Sequence, residues 1–353
     1  MIDDNVAMPE EQAKPKSRAR KPKAMVPSPA QGLIDALKFI SVAQKKTGPP
    51  EVQFSMICGG WIAASNGIIT VATPVQEDLT ACPHTTQFLD ALTKCGQDLV
   101  ITQLSSNTIS VKSDKFKGLI PCLTMDSLQI TGPDPQIAPL TEAVKSALGA
   151  VAAVAVDGSA MPVYASVLLQ AGSCVATDGA AIVEAWHGTD LPPNLLLPRA
   201  AAIAVAKCNK LLSGFGFSTS SVTFYFSDGS WLKTQLYDAQ YPNYKAVLDV
   251  EGLNPWALQP DFFKAVKMLE GFTKDGNVYF GDGLLYTDII LSEASTYHIE
   301  GLPQGLGFGV QYLLKLEPFM QTVHFNPEGR SVHFFGDKVR GALMALDMPN
   351  TSN

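Results

Sequence analysis

The chain has 353 residues, more than one hydrophobic core usually serves, so two or three domains are expected. Hydrophobic residues make up 46% of it and charged residues 17%; the longest apolar run, residues 147–156, contains Gly149 and falls short of the ~18 residues a bilayer span needs. The net charge is −7 and the first 30 residues are charged and Pro-rich, which reads as a soluble, cytoplasmic protein with no secretory signal and no membrane partner.

In chain order, residues 1–27 lack apolar periodicity and read as a disordered basic tail, with Lys14, Lys16, Arg18, Arg20, Lys21 and Lys23 set against Asp3, Asp4, Glu10 and Glu11. From residue 28 one pattern recurs three times: a helix, strands about a Gly turn, a second helix, further strands. The first helices are predicted over residues 29–45, 136–148 and 259–272. Ser28-Pro29 supplies a start signal, and Gly149 and Gly271 lie near the stops. Strand pairs follow over 61–70 around Asn66-Gly67, 163–183 around Asp178-Gly179, and 278–291 around Asp282-Gly283; these dipeptides tolerate positive φ and favour hairpins.

The second helices are predicted to begin near His84, Pro198 and Gly309, spaced by 114 and 111 residues, and to end near Gly96, Gly214 and Pro318. Final hairpins fall over 99–111, 222–235 and 323–335, turning at Ser106-Asn107, Asp228-Gly229 and Glu328-Gly329. Six such half-units describe an α+β protein of three tandem domains, 28–131, 132–249 and 250–349, in which paired helices cover antiparallel sheets.

No bond-making chemistry is visible. The six cysteines (Cys58, Cys82, Cys95, Cys122, Cys174, Cys208) form no C-x-x-C pair and suit reduced core thiols. Cys82-Pro83-His84 is too sparse for a metal site, so no metal and no cofactor are expected. The five histidines are dispersed, and the Gly-rich run over 301–309 lacks the Lys-Ser/Thr of a phosphate loop.

Cations are more informative. Beyond residue 30 the body holds 20 basic and 29 acidic residues, yet basic side chains recur on the predicted helices. Lys264, Lys267 and Lys274 fall within about 80° at ~100° per residue, roughly opposite Ala265, Val266, Leu269 and Phe272. Arg199, Lys207 and Lys210 repeat the arrangement, Lys38 and Lys45 are seven apart, and Lys94, Lys145 and Lys315 add one each. A single lysine stripe is usually just a solvated face. Its recurrence on the helices of an acidic chain points to a positive helical wall.

The middle of the chain resembles the beta sliding clamps of bacterial DNA polymerase III and their phage relatives. Val175-Ala176-Thr177-Asp178-Gly179 resembles the family's V-A-T-D-G hairpin and Leu197-Pro198-Arg199 its V-P-R helix opening. Residues 236–248, LYDAQYPNYKAVL, resemble the closing segment of its second domain. Residues 116–123, Tyr312-Leu313-Leu314 and residues 342–346 carry weaker echoes. The hairpin continues with Ala180-Ala181 where the family has His-Arg, and the C-terminal Met344-Ala345-Leu346-Asp347 stands where it has M-P-M-R.

The resemblance implies a non-catalytic processivity factor: a head-to-tail homodimer closing into a pseudo-sixfold ring around double-stranded DNA, independent of sequence. An ATP-dependent clamp loader would place it and a replicative DNA polymerase would be tethered to it. The recurrent helix cations would then face DNA. A partner-peptide cleft would be lined by Tyr164, Thr177, Gly179, Ala180, Ile182, Pro242, Val247, Ala342, Met344 and Leu346. Two other readings are a clamp-like scaffold or decoy that does not encircle DNA, and a hydrolase or transferase with an unrecognised site.

Overall fold

The computed structural model describes residues 30–45, 47–281 and 283–347. The expected tail, Ser28-Pro29, Asp282 and the final six residues lie outside them. In the first unit, α1 (Gln31–Ile40) buries Leu33, Ile34, Leu37 and Ile40, one face of a 3.6-residue repeat, against the sheet that follows. That sheet begins with β1 (Met56–Cys58), β2 (Trp61–Ser65) and β3 (Ile69–Pro74); β4 (Cys82–Pro83) then leads into α2 (Thr85–Thr93), and β5 (Val100–Ser105), β6 (Thr108–Ser113) and β7 (Phe116–Leu123) complete the unit.

The second unit repeats this order after a leading strand: β8 (Gln136–Pro139), α3 (Glu142–Ala152), β9 (Ser166–Leu169), β10 (Ser173–Thr177), β11 (Ala181–Trp186), β12 (Leu195–Pro198), α4 (Arg199–Lys207), β13 (Leu212–Phe217), β14 (Ser221–Phe226) and β15 (Trp231–Gln235). A short helix, α5 (Lys245–Leu248), lies in the connection to the third unit. There follow β16 (Trp256–Ala257), α6 (Phe262–Glu270), β17 (Asn277–Gly281), β18 (Leu284–Tyr286), β19 (Thr296–His298), β20 (Leu306–Gly309), α7 (Val310–Leu316), β21 (Thr322–Asn326), β22 (Ser331–Gly336) and β23 (Val339–Met344).

The three second helices each start one residue after the expected position, with His84, Pro198 and Gly309 at the N-cap; of these, His84 accepts the Gln87 N–H through its side chain. Helices pack in pairs, α1 on α2, α3 on α4 and α6 on α7, over one apolar core that includes Phe88, Phe215, Phe224, Phe280, Phe308 and Phe334.

Strand pairing crosses the units by one rule. The third strand after one unit's first helix joins the last strand of the next unit: β3 pairs with β15 and β11 with β23, both antiparallel. The result is two continuous sheets, β1-β2-β3-β15-β14-β13-β8 and β12-β9-β10-β11-β23-β22-β21-β16. Two four-stranded sheets remain at the ends, β4-β7-β6-β5 and β19-β18-β17-β20.

Three expectations are corrected. Residues 136–139 form β8, paired with β13, because a sheet edge offers that backbone a partner and Pro139 disfavours a helical residue before it; the helix starts only at Glu142. Gly214 does not stop α4 but sits inside β13, where a Cβ would collide with the Gln136 side chain. The chain already turns extended at Cys208, and Glu142 Oε1 takes the Leu212 N–H at 2.6 Å. The strand expected to run to residue 291 ends at Tyr286, since Asp288 turns back to cap the Ile290 N–H and pair with Lys274. Among the described residues no helix is long and apolar enough to cross a membrane.

Candidate functional site

The helical side carries a groove of about 820 Å³ between α1 and α4, lined by Lys38, Arg199, Lys207 and Lys210 together with Asp35 and Asp157. Lys38 and Lys207 are exposed there, and Lys38 is 4.0 Å from Asp35. Arg199 is half-buried and donates from Nε to the Ala152 carbonyl at 3.2 Å.

Two of the expected free cations are instead committed to the fold. Lys145, 11% exposed, donates to the Lys210 carbonyl at 3.0 Å and pairs with Glu142 at 2.9 Å. Lys210 pairs with Asp228, donates to Ser230 Oγ at 2.9 Å and Thr73 Oγ1 at 3.3 Å, and lies 4.6 Å above the Phe39 ring. It thereby bolts the first unit to the second. The opposed charge has a counterpart effect on the acid: burial raises the Asp228 pKa, but Lys210 and Ser230 outweigh it and hold the carboxyl below its ordinary range.

In the third unit Lys264, Lys267 and Lys274 are exposed with acids beside them: Asp261 at 3.5 Å, Glu317 at 2.8 Å, and Asp288 at 2.8 Å with Glu293 at 3.1 Å. Lys315 stands 5.5 Å over Tyr312. Lys45 and Lys94 are exposed but lie past the ends of α1 and α2.

The sheet side carries the second candidate surface, at the β11–β23 seam. The hairpin between β10 and β11 is fixed by its own side chains: Asp178 Oδ1 accepts from the Ala180 and Ala181 N–H groups at 3.0 and 2.8 Å, and Thr177 Oγ1 donates to the Ala181 carbonyl at 2.8 Å. Gly179 has φ +93°, and a Cβ there would meet the Tyr164 hydroxyl at 3.2 Å, so Tyr164 lies against the turn. β23 zips alongside, Ala342 opposite Ile182, with the Met344 N–H on the Ala180 carbonyl at 2.9 Å.

Ile182 and Ala342 form a buried floor with Leu168, Val175, Leu196, Tyr244 and Leu248. Met344 and Val247 remain 48% and 43% exposed, and Pro242, five residues before Val247, is exposed as well. α5, which carries Val247, packs on β23. The structure therefore gathers Tyr164, Thr177, Gly179, Ala180, Ile182, Ala342 and Met344 at the hairpin, with Pro242 and Val247 on the covering segment. Leu346 runs past it, its N–H taken by the Gly307 carbonyl at 2.8 Å.

Residue-by-residue reading missed what holds this seam together. Arg340 donates through Nε and a terminal nitrogen to Glu184 Oε2, both at 2.8 Å, pairs with Asp249 at 2.7 Å, and lies 5.3 Å over the Trp186 ring. Glu184, 3% exposed, also accepts from Ser173 and Tyr244 hydroxyls at 2.9 and 3.2 Å. Burial and this carboxylate push the Tyr244 phenol up, so it stays protonated as a donor. The available signal was a lone acid in β11 and a lone arginine in β23, each on an otherwise apolar strand.

Among the described residues no group of three or more His, Cys, Asp or Glu gathers as a metal site. Cys82, Cys122 and Cys174 are buried, as a core role requires, and burial pushes the Cys82 thiol up to about 11; Cys58 is exposed.

No protein-family model matches the sequence, and no curated protein matches it. Solved structures do match in fold. The DNA polymerase III subunit beta of Pseudomonas aeruginosa superposes with a TM-score of 0.75 at 13% identity. The Helicobacter pylori beta clamp bound to a DNA ligase peptide gives 0.72 at 16%, and the DNA polymerase sliding clamp of Caulobacter crescentus 0.73 at 15%. In each case 90% of this chain and 98% of the other are covered. The chain has the fold of these proteins.

Proposed function

We propose that the chain is a DNA sliding clamp, a non-catalytic ring that encircles double-stranded DNA and tethers a replicative polymerase through the cleft at the β11–β23 seam. One observation carries this reading: the rule that joins the units leaves one join unmade. β3 takes β15 and β11 takes β23, so β19 of the third unit should take β7 of a first unit. β19 is an edge strand, and residues 116–120 of β7 have a strand partner on one side only among the described residues. A second copy satisfies both edges, and satisfying them twice closes a head-to-tail dimer of six units.

In that ring the linkers near residues 131 and 249 are domain boundaries, and the paired helices form the inner wall. Lys38, Lys45, Lys94, Arg199, Lys207, Lys264, Lys267, Lys274 and Lys315 supply its positive charge, while Lys145 and Lys210 shape it from behind. Contacts to phosphate without base contacts permit sliding. Linkage by topology makes tight affinity unnecessary. At the seam, the exposed Met344 and Val247 over the Ile182–Ala342 floor support docking of an extended peptide with apolar anchors. The Helicobacter pylori protein, of the same fold, was solved with a DNA ligase peptide. An ATP-dependent loader is the expected agent of ring opening.

The test uses a primed circular template with polymerase, loader and ATP. The chain should lengthen products and stay on a nicked circle, and cutting the circle should release it. Gly179→Asp should abolish the lengthening while the protein remains folded, because it puts a charge against Tyr164 at a positive-φ turn. Retention that survives linearisation, or none on the circle, would mean the chain does not encircle DNA.

A further inference from the structure

The seam between the first and second units repeats the geometry of the peptide cleft with different chemistry. Asn66-Gly67 stands where Asp178-Gly179 stands, and Asn66 Oδ1 accepts from the Ile68 and Ile69 N–H groups at 3.0 and 2.9 Å just as Asp178 does from Ala180 and Ala181. On the strands, Ala72 lies opposite Trp231 where Glu184 lies opposite Arg340. The buried ion pair that fills one seam is thus replaced by an apolar pair in the other, and the space stays open.

It forms a pocket of about 170 Å³, floored by Ala63, Ala72 and Trp231 and walled by Met56, Trp61 and Ile130. Trp61 is 40% exposed at its rim. The pocket continues, through Met56 and Ile130, into a groove of about 890 Å³ formed with the linker 126–131. Glu51 and Asp126 are exposed along that groove, and among the described residues no Lys or Arg lines either cavity.

We propose that this seam is a second docking site, for a short extended segment of a partner protein that carries one large apolar side chain flanked by Lys or Arg. The pocket admits a single aliphatic or aromatic side chain. Two tryptophans around it are the residue type that most often anchors an interface. The two exposed carboxylates select a basic flank over an acidic one. The inference depends on the internal repeat and these side chains, and holds whether or not the chain encircles DNA.

Two fluorescein-labelled peptides serve as probes against the full chain in an anisotropy titration: Gly-Lys-Arg-Ser-Phe-Ser-Gly-Gly, and the same peptide with Glu-Glu replacing Lys-Arg. The basic peptide should bind, and the acidic one about tenfold more weakly. Ala63→Leu, which fills the pocket, should cost the basic peptide about tenfold, and so should the surface pair Glu51→Lys with Asp126→Lys. Gly179→Asp should leave it unchanged. Should Ala63→Leu fail to fold, the surface pair decides, since both positions are exposed. The proposal is overturned if the basic peptide does not bind, if neither set of changes weakens it, or if Gly179→Asp removes it. A Gly179→Asp chain that stops lengthening polymerase products yet keeps this peptide would separate the two clefts.

Discussion

Arg340 is the residue on which the second seam turns. It spans strands from two units and the linker between them, and its main partner, Glu184, is almost wholly buried. Removing one member of such a pair strands the other charge without water, so Arg340→Ala should cost about 3–5 kcal/mol, read as a lowered urea midpoint. Replacing Glu184 and Arg340 together by apolar residues should cost much less, because no charge is left uncompensated. Two histidines give the molecule an acid sensitivity. His187 and His333 are buried, burial lowers both pKa values, and His187 Nε2 has no hydrogen-bond partner. Near pH 6 the unfolded chain therefore binds more protons than the folded one. Their contribution is intact above the ordinary imidazole value of about 6.5 and is lost progressively as pH falls from there toward the lowered folded values. His333→Gln should reduce the difference between urea midpoints at about pH 7 and about pH 5.5; an unchanged difference would show that His333 does not titrate in this way.

At the scale of elements, the β11–β23 contact depends on a glycine that the hairpin rules do not flag. Gly341 faces the Phe334 ring and the Ile182 carbonyl so closely that a Cβ would overlap both. Gly341→Ala should push β23 away from β11 and cost about 2–3 kcal/mol, with a matching loss of amide protection along residues 181–185. An alanine tolerated without either change would mean the strands are not held at this spacing. The hairpin turns at Asn66-Gly67, Asp178-Gly179 and Asp228-Gly229 were legible because their side chains bond their own backbone, a purely local matter. β8 was not legible. Apart from the restriction Pro139 places on Ala138, its four residues have no internal reason to be extended, and they become a strand because β13, some 75 residues later, offers them hydrogen-bond partners.

For the whole molecule, the proposed dimer rests on the open edges of β7 and β19. Leu119 on β7 is 56% exposed, and Ile289, Ile290 and Leu291 just before β19 are 37%, 56% and 47% exposed. These are large apolar groups to leave in water at two unpaired edges. Leu119→Asp or Ile290→Asp should halve the mass seen by light scattering and leave the circular dichroism of the monomer intact. A particle of unchanged mass in both would place the contact elsewhere. The same changes should abolish retention on nicked circles, since an open monomer has no topological hold.

The amino-acid order alone determined the threefold repeat, the positions of the second helices and most hairpins, because periodicity, caps and turn chemistry act over a few residues. It also marked the hairpin and linker of the candidate cleft. Tertiary structure decided which charges are free: Lys145 is claimed by the Lys210 carbonyl, 65 residues away, as well as by Glu142 on its own helix, and Lys210 by Asp228, Ser230 and the first unit's Thr73. It decided, too, that one seam is locked by Glu184 and Arg340 while the other keeps an apolar pocket between Ala72 and Trp231. The two seams rest on strand register between segments more than a hundred residues apart, which no local pattern encodes.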